Sequence, residues 1–155
     1  MRVQLLDRKG VPATSVRAGR VSFEEGLRTS SVLILTCPKT PETTNLISTA
    51  ELSLMLPTAI VINVARGGVV DEEALVEALR GERIAGAAAD VFVTEPATTE
   101  NSPLVRASGE EWCRGKMVLS THVAWCAQSS IDKLRRTVQE NVEGWRGGKP
   151  VNVVV

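Results

Sequence analysis

Short runs of almost wholly apolar residues, separated by segments of helical periodicity, leave few architectures open to this chain. A strand that is apolar on both faces has to be covered on both, and a parallel sheet flanked by helices does this. The runs fall at residues 2–6, 32–36, 59–64, 84–89 and 117–120. Apolarity alone does not separate a strand from a buried helix, but their length and β-branched content favour strand. The expected class is α/β with a parallel sheet.

The helices between them are marked by their starts. Ser22 with Glu25 and Ser48 with Glu51 fit a capping box, in which each side chain satisfies an orphan amide near the other's end. They predict helices near 23–28 and 49–55. Asp71 can cap a helix over 72–80, where Ala74, Leu75, Ala78 and Leu79 form one apolar stripe. Gly81 is expected to supply its left-handed stop. A last helix over about 130–145 puts Ile131, Leu134, Val138, Val142 and Trp145 on one side and ends at Gly147-Gly148 before Pro150. Two long connections remain, residues 9–20 and 93–116. Loops of that length in a compact domain tend to be functional or flexible.

The 155 residues, 43% apolar and 23% charged, suit one hydrophobic core. Eighteen basic and 18 acidic side chains cancel, so no long-range field favours nucleic acid or an acidic membrane surface. No apolar run approaches the roughly 18 residues that span a bilayer, nor does the N-terminus read as a signal peptide, so a cytoplasmic protein is expected. Cys37, Cys113 and Cys126 are odd in number and form no CxxC. With a single histidine they exclude a disulfide framework and a zinc site, and read as reduced thiols.

In open parallel sheets ligands sit beyond the carboxyl ends of the strands. Polar residues gather there: Asp7 after the first run, Ala65-Arg66-Gly67-Gly68 after the third, Asp90 and then Glu95 after the fourth, and Thr121-His122 after the fifth. An imidazole that titrates near neutrality, a carboxylate to stabilise its protonated form and a guanidinium that grips carboxylates suit a 2-oxo acid substrate. His122 would donate a proton to the carbonyl oxygen, Glu95 would raise its proton affinity, and Arg66 would orient the substrate. The two glycines would let the backbone turn closely under a ligand. Each residue also has a plainer reading: a structural histidine, a salt-bridging arginine, an ordinary glycine turn, a capping aspartate, a solvated loop acid. Trp125 and Trp145 read more readily as core anchors than as ligand platforms.

Four segments taken together carry a resemblance. Cys37-Pro-Lys-Thr-Pro-Glu-Thr-Thr-Asn-Leu-Ile47, Asn63-Val-Ala-Arg-Gly-Gly-Val-Val-Asp71, Ile84-Ala-Gly-Ala-Ala-Ala-Asp-Val-Phe-Val-Thr-Glu-Pro96 and His122-Val-Ala-Trp125 resemble, in order, the NAD-binding domain of the D-isomer-specific 2-hydroxyacid dehydrogenases. The last segment is similar to the glycerate dehydrogenase or hydroxypyruvate reductase branch. The resemblance implies a Rossmann-like doubly wound sheet, NAD as cofactor, a short 2-hydroxy or 2-oxo acid as substrate, and a homodimer. It further implies that Arg66 binds the substrate carboxylate, Glu95 supports the histidine and His122 is the acid/base. Asp90 would hold the nicotinamide carboxamide, and Val64, Ala65 and the stretch from His122 to Trp125 would line the cofactor. Cys37 and Pro38 match positions near the adenine. Asp7 matches the acid that bonds the adenosine ribose, which would repel a 2′-phosphate and favour NAD over NADP; Arg8 and Lys9 beside it leave that choice open.

Two departures stand out. No stretch fits the fingerprint G-x-G-x-x-G. By the resemblance residues 2–6 are the second strand, so residues 1–155 are expected to be a partial dinucleotide-binding domain, lacking the first strand, its glycine loop and the substrate domain, with Met1 an internal methionine. The central strand would then be missing, leaving two strands with unpaired edges. Thr121 stands where the family commonly has proline, which would fix the direction of the imidazole. The stretch 106–116 has no role derivable from its residues. An alternative reading is a non-catalytic remnant that serves as a binding or oligomerisation module.

Overall fold

The computed structural model describes residues 2–154, which divide into two compact units, one running to Thr121 and the other starting at His122.

The first unit holds six strands: β1 (Leu5–Leu6), β2 (Arg20–Val21), β3 (Val32–Leu35), β4 (Ile60–Asn63), β5 (Gly86–Ala89) and β6 (Met117–Leu119). All pairings are parallel, in two sheets of order β1-β2 and β3-β4-β5-β6. Among the described residues no strand joins the two sheets. β1 and β3 each pair on one side only, which is the break expected from the sequence.

Four helices complete this unit: α1 (Phe23–Thr29), α2 (Thr49–Leu54), α3 (Glu72–Arg80) and α4 (Pro103–Ser108). Their caps are the expected ones. The Ser22 hydroxyl accepts the Glu25 N–H, the Glu51 carboxylate accepts the Ser48 N–H at 3.1 Å, and Asp71 accepts the Ala74 N–H at 3.1 Å. The α3 stop differs from expectation. Gly81 has φ −81° and its N–H still bonds the Glu77 carbonyl, so helical bonding runs through it. The left-handed residue is Glu82 (φ 53°), and Arg83 closes the turn onto the Ala78 carbonyl at 2.8 Å.

The core lies between α1–α4 and one face of the larger sheet. Leu33, Leu35, Val61, Ala87 and Ala89 are buried on that face against Leu27, Leu52, Leu75, Leu79 and Leu104. Each fully buried leucine contributes about 1.5–3 kcal/mol relative to exposure. The alternate positions Val32, Ile34, Ile60 and Val118 form the other face and are exposed. The strands are thus apolar on both sides as expected, but within this unit α1–α4 cover one side.

The two long connections carry structure that the sequence reading left as loop. Residues 9–20 hold a 3-10 turn at Ala13–Ser15 and lead into β2; residues 93–116 hold α4 and a second 3-10 turn at Glu111–Cys113. The signals were Ser102-Pro103, a cap followed by proline at the first helical position, and the Arg8-to-Arg20 spacing, which hides a two-residue strand. Arg80 stacks on Trp112 with its guanidinium 4.9 Å from the ring centroid and bonds Glu110, tying the end of α3 to the second turn.

The second unit is built around α5 (Gln128–Arg146), 19 residues long. Its apolar stripe is present, yet no residue of α5 is buried. Trp125 and Trp145 are exposed rather than core anchors. The chain turns at Gly147-Gly148 and returns along the helix. The Lys149 N–H bonds the Gly144 carbonyl at 2.8 Å, and the Asn152 amide bonds Asn141 at 2.8 Å. The three cysteines are free thiols.

Candidate functional site

The carboxyl ends of β4 and β5 are organised by buried polar side chains. Asn63, the last residue of β4, is 4% exposed; its side-chain Oδ1 accepts the Ala65 N–H at 3.1 Å and its side-chain Nδ2 donates to the Arg66 carbonyl at 3.2 Å. This one side chain shapes the turn that carries Val64, Ala65 and Arg66. Val64 is 39% exposed at the strand tip, Ala65 is buried, and Arg66 is exposed with its Nη1 donating to the Ala65 carbonyl at 2.7 Å.

Gly67 is required here for a reason other than the one expected. A Cβ on it would lie 1.7 Å from the Phe92 carbonyl oxygen, so the close neighbour is the protein's own backbone after β5. Gly68 has φ 80°, a conformation that L side chains avoid.

Asp90 follows β5 directly and is buried. Its N–H bonds the Asn63 carbonyl at 3.0 Å, and its carboxylate accepts the Ser120 hydroxyl just past β6. The next turn brings Glu95 back so that its Oε1 accepts the Phe92 N–H at 3.0 Å, while the residue itself stays exposed. Glu72, on the first turn of α3, is buried and clamps the same segment: Oε1 accepts the Val93 N–H at 2.7 Å and Oε2 the Ser102 hydroxyl at 3.0 Å. From the sequence, Glu72 has no role beyond the first position of a helix, and the side chains of Asn63, Ser120 and Ser102 have none. Nothing local distinguishes Glu72, Ser102 and Ser120, whose partners are 21 to 30 residues away, whereas Asn63 closes a turn onto Ala65 and Arg66, a local signal in an asparagine at a strand end.

Glu72→Ala leaves the Val93 N–H and the Ser102 hydroxyl without acceptors. It is expected to cost about 3 kcal/mol, read as a lower urea midpoint at unchanged slope.

At the other end of the unit, Asp7 closes β1 and is buried, with its side chain 1% exposed. Arg17 donates from Nε (2.9 Å) and Nη2 (2.5 Å) to Oδ1 and from its backbone N–H (2.8 Å) to Oδ2, and the Arg8 N–H adds a fourth bond at 2.8 Å to Oδ1. The Arg17 side chain and its backbone N–H hold the Asp7 carboxyl well below the usual carboxylate range. Stability from this cluster is therefore complete above about pH 4, where the unfolded carboxylate is ionised, and drains away as the pH falls further. Thermal midpoints followed downward through that range should fall in the wild type. Arg17→Met should flatten this acid limb.

Cys37 is half-buried and Pro38 exposed, opening the loop after β3. The Thr43 hydroxyl donates to the Pro38 carbonyl at 2.8 Å and accepts the Thr40 N–H at 2.7 Å, fixing the turn at Pro41–Thr43. His122 is the first residue of the second unit. It lies in the left-handed region (φ 58°), and its carbonyl accepts the Trp125 indole N–H at 3.1 Å. Arg66, Asp90 and Glu95 belong to the first unit, whereas His122 and Trp125 belong to the second.

The residues fit a nicotinamide dinucleotide in part. The tips of β4 and β5 present an exposed Val64, an arginine and a buried, bonded aspartate, but no glycine fingerprint in the chain supplies a pyrophosphate cradle. Among the described residues no group of His, Cys, Asp or Glu is placed to hold a metal ion, and no helix is long and apolar enough to cross a membrane.

Comparison with known proteins agrees with this architecture. The model of the family described as D-isomer specific 2-hydroxyacid dehydrogenase, NAD binding domain, matches residues 1–124. A glycerate dehydrogenase of Methylorubrum extorquens is 38% identical over 139 residues, covering 88% of this chain and 41% of that protein. The chain spans about two fifths of the length of the curated relatives it matches. Among solved structures, the NAD-complexed D-isomer specific 2-hydroxyacid dehydrogenase of Lactobacillus delbrueckii ssp. bulgaricus superposes with a TM-score of 0.73 at 26% identity, over 88% of this chain and 43% of that one. The acyclic imino acid reductase Bsp5, in complex with NADPH and D-Arg, gives 0.75 at 27% identity, over 97% and 45%.

Proposed function

The chain belongs to the NAD-binding domain family of the D-isomer specific 2-hydroxyacid dehydrogenases, and from that premise we propose that it carries the cofactor-binding and acid/base machinery of an oxidoreductase acting on a short 2-hydroxy or 2-oxo acid. The reading is supported above all by the order of polar residues along one parallel sheet. Arg66 follows β4, and Asp90 and Glu95 follow β5, at carboxyl ends where such sheets bind ligands, and His122 comes next in the sequence after β6.

The dinucleotide, when bound, supplies or accepts the hydride. The Arg66 guanidinium binds the substrate carboxylate in a two-pronged hydrogen bond and thereby orients the carbonyl. His122, protonated, donates to the carbonyl oxygen during reduction and recovers the proton during oxidation. Glu95 stabilises the imidazolium as a positioning residue. Asp90, buried directly after β5 and accepting from Ser120, is a carboxylate of the kind that can accept a carboxamide N–H there. Val64 and Ala65 form the apolar floor, with Trp125 a lining residue. A cytoplasmic location and a homodimeric assembly accompany this reading, and the glycerate and hydroxypyruvate relatives suggest hydroxypyruvate or glyoxylate as the first substrates to try. The absence of a glycine fingerprint favours, as a second reading, a binding or oligomerisation module without turnover.

Titration with NADH or NADPH, followed by nicotinamide fluorescence, tests the premise. Saturable binding, with consumption of reduced cofactor on adding hydroxypyruvate or glyoxylate, is the expected result. No binding at millimolar cofactor would overturn the enzyme reading, and binding without turnover would favour the module.

A further inference from the structure

An acid at the end of the ribose-facing strand selects the unphosphorylated dinucleotide because it accepts the ribose hydroxyls and repels a 2′-phosphate. By the resemblance Asp7 stands at that position, yet its carboxylate is buried and bonded to Arg17. A carboxylate offers about four lone-pair sites. Here three donors, Arg17 Nε and Nη2 and the Arg8 N–H, meet at Oδ1 and the Arg17 N–H takes Oδ2, beneath the Arg17 side chain. The side chain is 1% exposed, whereas that of Arg17 is 50% exposed. What the chain turns outward at the end of β1 is a guanidinium.

The neighbouring charges follow the same pattern. Lys9 is committed to Glu51 at 2.8 Å. Arg8 is exposed. Its charge reaches Glu42, whose carboxyl is held below its ordinary range by the Thr40 hydroxyl, its own backbone N–H and Arg8. The Arg8 backbone N–H bonds the Asp7 carboxylate, which ties Arg8 to the end of β1. Arg17 faces Asp7, Lys9 faces Glu51 and Arg8 acts on Glu42, while Arg20, exposed and donating to the Leu6 carbonyl, is a further cation at the end of β1.

We propose that in this chain the adenosine 2′ position is met by the Arg17 guanidinium and the Arg8 side chain instead of the Asp7 carboxylate, so that the 2′-phosphorylated dinucleotide is the preferred form. The inference rests on the reading that the domain binds a nicotinamide dinucleotide. Arg17 has five N–H donors on a rigid planar fork, and only the Nε and Nη2 atoms bond Asp7. Its remaining edge can take a phosphate in two parallel bonds while Arg8 contributes charge. Asp7 acts here as the positioning residue that holds the fork in place.

The test is calorimetric titration of the whole chain with adenosine 2′,5′-bisphosphate and with adenosine 5′-monophosphate, which differ only in the 2′-phosphate. The bisphosphate is expected to bind at least about tenfold more tightly at low salt, with the preference shrinking as salt is added. Arg17→Met frees the Asp7 oxygens and should reverse the preference towards the monophosphate. Arg8→Met leaves the Asp7–Arg17 cluster intact and should weaken the preference without reversing it, which keeps the idea testable if the Arg17 variant fails to fold. Equal binding of the two nucleotides, tighter binding of the monophosphate, or binding of neither would overturn the inference. The dehydrogenase reading fails separately, when NADH and NADPH both leave the nicotinamide fluorescence unchanged.

Discussion

Gly67→Ala should destabilise the first unit by at least about 3 kcal/mol, well beyond an ordinary helix or loop glycine substitution. The added methyl would sit 1.7 Å from the Phe92 carbonyl oxygen and 2.6 Å from the Val93 nitrogen, both backbone atoms that cannot swing aside. Relief requires moving the segment after β5, which is held by the Glu72 carboxylate on Val93 and by the Glu95 carboxylate on Phe92. Gly68→Ala is the internal comparison. Its nearest neighbour is the flexible Lys39 amine, so its cost is mainly the left-handed φ, about 1–2 kcal/mol. Urea unfolding of the two variants should separate them clearly; a Gly67→Ala midpoint equal to that of Gly68→Ala would mean that the backbone crossing is looser than described. Because the Phe92–Glu95 turn carries a proposed site residue, the same variant should also lose ligand binding.

The second large effect is expected at His122. If this imidazole transfers the proton, His122→Asn should lower kcat by about 10²- to 10⁴-fold while leaving dinucleotide affinity nearly unchanged. Asparagine is the better probe because the residue sits at φ 58°, a region that asparagine tolerates and alanine does not. His122→Ala would mix the loss of the acid with about 1–2 kcal/mol of backbone strain. Steady-state kinetics with parallel cofactor titrations distinguish the outcomes. Retained turnover in His122→Asn would remove the acid/base assignment, and a matching loss of cofactor affinity would recast His122 as a binding residue.

The expected strands and helices are found because their signals are local. Alternating or continuous apolar runs, the Ser22, Ser48 and Asp71 caps and the stripe of α3 each act within a few residues, and each is present. The misses lie where the decisive partner is distant or the element very short. β2 is two residues long and exists because β1 pairs with it. α4 is anchored through Ser102 to Glu72, 30 residues earlier. Gly81 looked like the stop of α3, but helical bonding carries one residue further and places the left-handed turn on Glu82.

The same division holds for the candidate site. Arg66, Asp90, Glu95 and His122 could be nominated from the sequence because motif order and strand ends are written linearly. Most of the side chains that hold the segment after β5 could not be, since Glu72 and Ser120 are ordinary residues until the fold brings Val93 and Asp90 near. Asp7 shows the difference most plainly. Its place after a strand could be read from the sequence, whereas the engagement of its carboxylate by Arg17 depends on a ten-residue loop folding back on itself.

For this protein, then, the order of residues decided the parallel α/β architecture, the family and the list of chemically able side chains, because periodicity, caps and motifs act over short distances. The tertiary structure alone decided which acids are already engaged, why Gly67 has no side chain and which sheet face α1–α4 cover. Those depend on contacts between segments far apart in the chain, whose free energies exist only once the backbone has closed around them.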